Sequence, residues 1–181
     1  MELIATPLGG VYIVQVNKIE DTRGLFARTY CKKEFSAIGF TKEFVQFNHS
    51  FNKEKGTVRG MHFQRHPFTE TKLIRCIQGS VWDVAIDLRK GSSTYLQHFA
   101  IELSKENMKS ILIPDGFAHG FQSLEDNTTL IYHHTNYYTS SADSGIRFDD
   151  PALNIQWPLP AINVSEKDQN YHLITSTFES I

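Results

Sequence analysis

The chain has 181 residues, enough for one domain with a substantial buried core. Its 40% hydrophobic and 21% charged content is that of an ordinary globular protein, which sets aside disordered and fibrous classes. A net charge of -2 with Lys and Arg scattered along the chain lacks the basic stripe of a nucleic-acid binder.

Near the start, the charge-free stretch from Leu3 to Asn17 is broken by Pro7, Gly9 and Gly10. It is too short to span a bilayer and lacks the basic flank of a signal peptide, so no membrane association is expected. Within it, Val11 to Val16 is rich in β-formers. Asp21-Thr22-Arg23-Gly24 reads as a turn, followed by a strand-like run from Leu25 to Tyr30. Lys32 to Ile38 is the best short helix, stopped by Gly39. Phe44 to Ser50 alternates, placing Gln46, Asn48 and Ser50 on one face and Val45, Phe47 and His49 on the other. Gly56 to Cys76 reads as two short strands around a turn at Pro67. Val81 to Leu88 is a further strand, with Trp82, Val84, Ile86 and Leu88 opposite Asp83, Ala85 and Asp87. Tyr95 to Leu103, Ser110 to Ile113, Gly120 to Leu124 and Thr128 to His134 follow, with a tight turn at Pro114-Asp115-Gly116. The polar tail has room for a short C-terminal helix. Brief strands at this spacing, with turn residues between them, predict a single mainly-β domain over 1–181, a sandwich or barrel. Cys31 and Cys76 have no CxxC-like spacing, which predicts reduced thiols, a cytoplasmic protein and no zinc site.

The chemistry concentrates between Gly56 and Cys76. His62 and Gln64 share one strand face and Met61 and Phe63 the other. Lys72 shares a face with Ile74 and Cys76. A lysine on an inward apolar face either snorkels from a strand end or is held by a partner in a cavity. Candidate groups are His62, His119, Lys72, Tyr132, Asp83 and Asp168, with Arg23, Gln46, Asn48 and Arg59 as polar or anion binders. Each also has a plain structural reading. His119 suits a satisfied core histidine, Tyr132 one more strand tyrosine, Asp168 a helix N-terminus after Ser165, and Asp83 a solvent-facing strand position. The case rests on the set.

Pro114-x-Gly116-x-x-His119 resembles the second motif of the cupins, jelly-roll barrels whose metal-binding members also carry an H-x-H pair. Here that pair reads His62-Phe63-Gln64, so the second histidine is missing. Glu70 in its place would leave a poorer ligand set, and a barrel without metal is expected.

A more specific resemblance runs from about Gly10 to Asp168. Asp21-x-Arg23-Gly24-x-Phe26, Gln46-x-Asn48-x-Ser50, Arg59-Gly60-Met61-His62-Phe63-Gln64, Lys72-Leu73-x-Arg75-Cys76, Asp83-Val84-Ala85-Ile86-Asp87-Leu88-Arg89, Ile113-Pro114-x-Gly116-Phe117-Ala118-His119-Gly120-Phe121, Asp149-Asp150-Pro151, Trp157-Pro158 and Ser165-x-Lys167-Asp168 occur in that order. Together they resemble the dTDP-4-dehydrorhamnose 3,5-epimerase family, metal-free cupins of deoxysugar biosynthesis. The resemblance implies a cupin jelly-roll fold with a few short peripheral helices. It also implies a nucleotide-linked 4-keto-6-deoxyhexose substrate, most simply dTDP-4-dehydro-6-deoxy-D-glucose, epimerised at C3 and C5 through an enolate without a cofactor. His62 matches the base, Asp168 the carboxylate orienting it, Lys72 the cation beside the enolate oxygen and Tyr132 the opposing acid. Arg23, Gln46, Asn48 and Arg59 match substrate-binding positions. His119 would line the sugar pocket, Tyr138 would stack on the base, and Asp143 and Lys167 match weaker binding positions. Arg23 and Phe26 would lie on an N-terminal arm (about residues 1–30) that reaches a neighbouring subunit of a homodimer.

Two positions depart from the family pattern. Arg28 stands where a glutamate near the nucleotide is usual, exchanging an acceptor for a donor. Glu70 stands where a glutamine is common before the lysine, placed to pair with Lys72 or to tune it. Three alternatives remain beside the 3,5-epimerase. One is an epimerase of C3 or C5 alone, or of another nucleotide's 4-keto sugar. The others are a metal-dependent cupin oxygenase or isomerase and a non-catalytic sugar-binding module.

Overall fold

The computed structural model describes residues 1–175 and Phe178. Among the described residues thirteen strands carry the fold: β1 Glu2–Ala5, β2 Tyr12–Gln15, β3 Lys18–Asp21, β4 Gly24–Ala27, β5 Gln46–Asn52, β6 Val58–Gln64 and β7 Lys72–Gln78. They continue with β8 Ser80–Asp87, β9 His98–Ser104, β10 Ser110–Ile113, β11 Phe117–Ser123, β12 Thr128–His134 and β13 Asp143–Gly145. Two one-turn helices, α1 Lys32–Phe35 and α2 Glu166–Gln169, lie at the periphery. A six-stranded sheet in the order β1-β2-β10-β7-β12-β5 faces a five-stranded sheet in the order β13-β6-β11-β8-β9. The named pairings are antiparallel, and the jelly-roll expectation holds.

The core follows from alternation along these strands. Ile74 and Cys76 of β7, Val81 and Ala85 of β8 and Phe121 of β11 meet between the sheets, with Leu130 and Ile111 beside them. Removing each large side chain from water contributes roughly 1.5–3 kcal/mol. The opposite face of the five-stranded sheet is also covered: Met61, Phe63, Val84, Ile86 and Leu88 pack under the C-terminal segment with Leu153 and Trp157. This corrects the solvent-facing reading of Asp83, because β8 is buried on both sides and Asp83 is fully enclosed. Phe35 of α1 anchors a third cluster, with Leu73 and Leu112. Gly39, in the left-handed region at φ 79°, ends the helical stretch as its sequence predicts.

Boundaries differ in places. The strand expected from Tyr95 begins at His98, because Ser92 and Thr94 both donate hydroxyls to Asp87 Oδ2, at 2.6 and 2.7 Å, and hold the preceding residues in a turn. Leu25–Tyr30 shortens to β4, which among the described residues pairs only with β3. That hairpin forms a two-stranded sheet joined to neither large one, and Ile19, Leu25 and Phe26 on it are exposed. β1, β3 and β13 carry no strong sequence signal and are short.

One close approach fixes the spacing of the site strands. Gly60 of β6 has φ +128°, and a Cβ there would sit 2.5 Å from Gly120 Cα on β11. Neither backbone can yield, so both positions demand glycine. The register of β6 on β11 shifts just here, between His119 and Phe121, and sets His119 directly opposite His62.

Candidate active site

A cavity of roughly 450 Å³ opens between the sheets, lined among others by Asn48, His62, Lys72, His119, Tyr132 and Tyr138. Its size suits a sugar with part of a larger ligand. Arg59, Gln64, Asp143 and Lys167 also line it. Residues expected to converge therefore do so from β5, β6, β7, β11, β12 and the segments beyond.

His62 sits near the end of β6. Its Nε2 lies 2.7 Å from Asp168 Oδ1. The other carboxylate oxygen accepts the Gly60 backbone N–H at 3.1 Å, and the Asp168 N–H donates to Ser165 Oγ at 3.1 Å. Asp168 is thus both the helix-start residue of one expectation and the orienting carboxylate of the other. Burial raises the Asp168 carboxyl, but the His62, Gly60 and Ser165 contacts outweigh it and hold it below the ordinary range. With Nε2 committed to an ionised carboxylate, Nδ1 is the ring's remaining lone-pair site. Tyr171, which the sequence reading missed, closes over this pair. Its ring lies 5.9 Å from that of His62 and packs against Gly145, where any side chain would collide with it.

On the β11 side, His119 Nε2 lies 2.9 Å from Asp83 Oδ2, and both residues are buried. Burial lowers the His119 pKa, with Asp83 opposing, so the ring is neutral at neutral pH. Tyr132 packs edge-on against His119 at 5.8 Å and stacks on His134 at 6.0 Å. Burial, reinforced by Asp83, pushes its phenol well above the usual tyrosine range. Tyr132 consequently keeps its proton at neutral pH.

Lys72 is 7% exposed, which settles the snorkelling question: it is held inside. Its Nζ lies 3.4 Å from Glu70 Oε1 and 3.4 Å from the His62 carbonyl. Burial raises the Glu70 carboxyl, but His134 and Lys72 together bring it below its ordinary value. Glu70 therefore pairs with Lys72, as its spacing predicts.

At the mouth, Gln46 accepts the Tyr138 backbone N–H at 3.0 Å and donates to Asn48 at 3.2 Å. The Tyr138 hydroxyl donates to Asp143 at 3.1 Å, and Lys167 forms an ion pair with the same carboxylate. Arg59 is steadied by Asn52, with Nε 2.7 Å from Oδ1. Arg23, Phe26 and Arg28 do not reach this cavity within one chain. Arg23 folds onto Asp21, Phe26 is 69% exposed, and Arg28 Nη1 lies 2.8 Å from Glu34 Oε1.

Among the described residues, no three His, Cys, Asp or Glu side chains are arranged to hold a metal ion. The atoms a cupin metal would need are engaged: His62 with Asp168, His119 with Asp83, and Glu70 with His134 and Lys72. The donor set does not fit a metal. No helix among the described residues is long and apolar enough to cross a membrane.

A jelly-roll barrel holding a carboxylate-oriented histidine, a buried lysine and a proton-retaining tyrosine in one sugar-sized cavity defines the cupin-type sugar epimerases. The family model for dTDP-4-dehydrorhamnose 3,5-epimerase matches residues 5–176. The chain is 40% identical to the dTDP-4-dehydrorhamnose 3,5-epimerase of Shigella flexneri over 171 residues, 94% of either chain. The crystal structure of the Bacillus anthracis enzyme of that name, with TDP and PPi bound, superposes at a TM-score of 0.93. It is 39% identical and covers 96% of this chain and 99% of its own. The Legionella pneumophila enzyme in complex with dTDP-4-keto-L-rhamnose has a TM-score of 0.90 and 37% identity, covering 95% and 92%. The chain belongs to the dTDP-4-dehydrorhamnose 3,5-epimerase family.

Proposed function

We propose that the protein inverts C3 and C5 of dTDP-4-dehydro-6-deoxy-D-glucose, giving dTDP-4-dehydro-L-rhamnose. The observation that carries this reading is the His62–Asp168 pair, 2.7 Å apart, with His62 lining a cavity that Lys72 and Tyr132 also line. The ketone at C4 acidifies the C–H bonds on either side of it. His62 takes a proton from one of these carbons, and the electron pair moves onto the C4 oxygen as an enolate. Asp168 stabilises the imidazolium that forms, and the Lys72 ammonium stabilises the enolate oxygen. Tyr132 delivers a proton to the opposite face of the carbon as the C4 carbonyl reforms. His62 returns its proton to solvent and Tyr132 regains one, so the net change is isomerisation alone. The raised Tyr132 pKa suits a donor that must hold its proton until a carbanion needs it.

Arg59 and Lys167, with Asn48 and Tyr138, form the polar mouth in which the diphosphate and base would bind, arginine offering paired donors to phosphate oxygens. The exposed β3–β4 hairpin supports an arm that carries Arg23 and Phe26 into the pocket of a second copy. Phe47 and Phe51, exposed on edge strand β5 at 66% and 49%, add apolar surface of the kind a homodimer covers. Arg28, paired with Glu34, then leaves a donor rather than an acceptor near the nucleotide. The free thiols of Cys31 and Cys76 fit a reducing cytoplasm.

Proton NMR of the substrate with protein in deuterium oxide tests the reading. Loss of both the C3 and C5 signals is expected. Loss of one alone identifies a single-centre epimerase, and retention of both overturns the assignment for this nucleotide sugar.

A further inference from the structure

His134 was not among the residues the sequence singled out, yet it is 6% exposed in the wall of the cavity, opposite Lys72 in the β12–β7 register and opposite Gln46 in the β12–β5 register. Its Nδ1 lies 2.7 Å from Glu70 Oε2 and its Nε2 3.2 Å from Asn48 Nδ2. These contacts join two others into a continuous chain whose direction is fixed at both ends. At the mouth, the Tyr138 backbone N–H can only donate, so Gln46 Oε1 accepts at 3.0 Å and Gln46 Nε2 must donate onward. Asn48 Oδ1 receives that bond at 3.2 Å, which turns Nδ2 toward His134 as a donor. His134 Nε2 must then accept, and the ring proton sits on Nδ1, donated to Glu70. At the inner end, Glu70 Oε1 faces the Lys72 ammonium at 3.4 Å. A carboxylate accepts from both sides, whereas a glutamine amide offers one acceptor and one donor.

We propose that Glu70 and His134 are positioning residues that tie the mouth of the pocket to Lys72, and that His134 is the reason this chain requires a carboxylate at residue 70. In Glu70→Gln the single amide oxygen is claimed by His134, and the amide nitrogen faces the Lys72 ammonium. Lys72 loses its side-chain acceptor and its neutralising charge, keeping only the His62 carbonyl, while the mouth stays ordered.

The kinetic part of the test rests on the epimerase reading; the spectroscopic part does not. Glu70→Gln is expected to lower kcat at least about tenfold, as befits a lost charge-assisted contact, and to leave KM within about twofold. Adding His134→Ala frees the glutamine to turn its oxygen to Lys72, which restores the acceptor but not the charge, so the double variant recovers part of the lost kcat while KM rises, Asn48 having lost its acceptor. Long-range 1H–15N spectra of histidine-labelled protein, with His134 assigned by its loss in His134→Ala, are expected to show the proton on Nδ1. That result stands even if the wild type fails to turn over the sugar, in which case it is the epimerase reading that falls. A proton on Nε2, a kcat unchanged in Glu70→Gln, or a double variant no better than the single one overturns the proposal.

Discussion

His62 and Asp168 are 106 residues apart in the chain and 2.7 Å apart in space, and the carboxylate is 3% exposed. The histidine lies on a central strand, while the carboxylate arrives on a one-turn helix held by the Ser165 cap. Asp168→Asn keeps the shape and one acceptor but withdraws the charge that stabilises the imidazolium. We expect deuterium exchange into substrate to fall about 10²-fold, and His62→Ala to abolish it, with circular dichroism unchanged in both. A fully active His62→Ala variant would remove this residue from the mechanism.

Tyr132→Phe separates two events. With His62 intact, a proton still leaves the substrate and is returned to the same face. Because the His62 side chain is 36% exposed, it exchanges that proton with solvent. Wash-in of deuterium is expected to continue while inversion falls by about 10²-fold or more, the scale of a lost general acid. Equal loss of the two would move Tyr132 from proton donor to structural wall.

The projecting β3–β4 hairpin predicts complementation. Arg23→Ala and His62→Ala are each expected to be nearly inactive. If the arm of one copy completes the pocket of the other, mixing and re-forming dimers restores part of the activity, because one site per hybrid then has an intact arm and an intact base. Light scattering should give a dimer for both variants. No recovery in verified hybrids would place Arg23 in its own subunit's site.

Acid should unfold the protein through its buried and half-buried carboxylates. Asp168, Glu70, Asp115 and Asp87 are all held below their ordinary values, each against a burial cost that hydrogen bonds and cationic partners outweigh. The native state therefore binds fewer protons than the unfolded chain. The stability these groups contribute is present above the unfolded carboxylate range and lost as pH falls through the lowered folded values, from about pH 4 downward. Thermal melts from neutral pH into that range should show a falling Tm. Asp87→Asn, which weakens the Arg89, Ser92 and Thr94 contacts, should lower Tm at neutral pH and flatten the fall.

Most of the fold was legible because alternation and turn residues are local properties. Val81–Leu88 and Thr128–His134 announce themselves within eight residues. Tyr95–Gln97 misled because the decisive interaction, Asp87 with Ser92 and Thr94, reaches back across the turn and competes with strand pairing. Within the site, His62, Lys72, Tyr132 and Asp168 were found through their order along the chain. His134 and Tyr171 were not, since their neighbours are set by cross-strand register and by the return of the C-terminal segment. The enclosure of Asp83 followed the same rule: only the covering of both faces of β8 by distant residues makes that position internal.

The late position of Asp168 has a consequence for biosynthesis. The strands of both sheets, with His62, Lys72, His119 and Tyr132 already on them, are translated by residue 145. A nascent chain of that length contains the strands of both sheets and three of the four groups of the proposed mechanism, yet its histidine has no carboxylate beside it. The segment carrying Ser165, Asp168 and Tyr171 therefore completes two things at once, the pair with His62 and the cover over the outer face of the five-stranded sheet. A chain that stopped at residue 145 would leave Met61, Phe63, Val84, Ile86 and Leu88 without their Leu153 and Trp157 cover as well as His62 without its carboxylate.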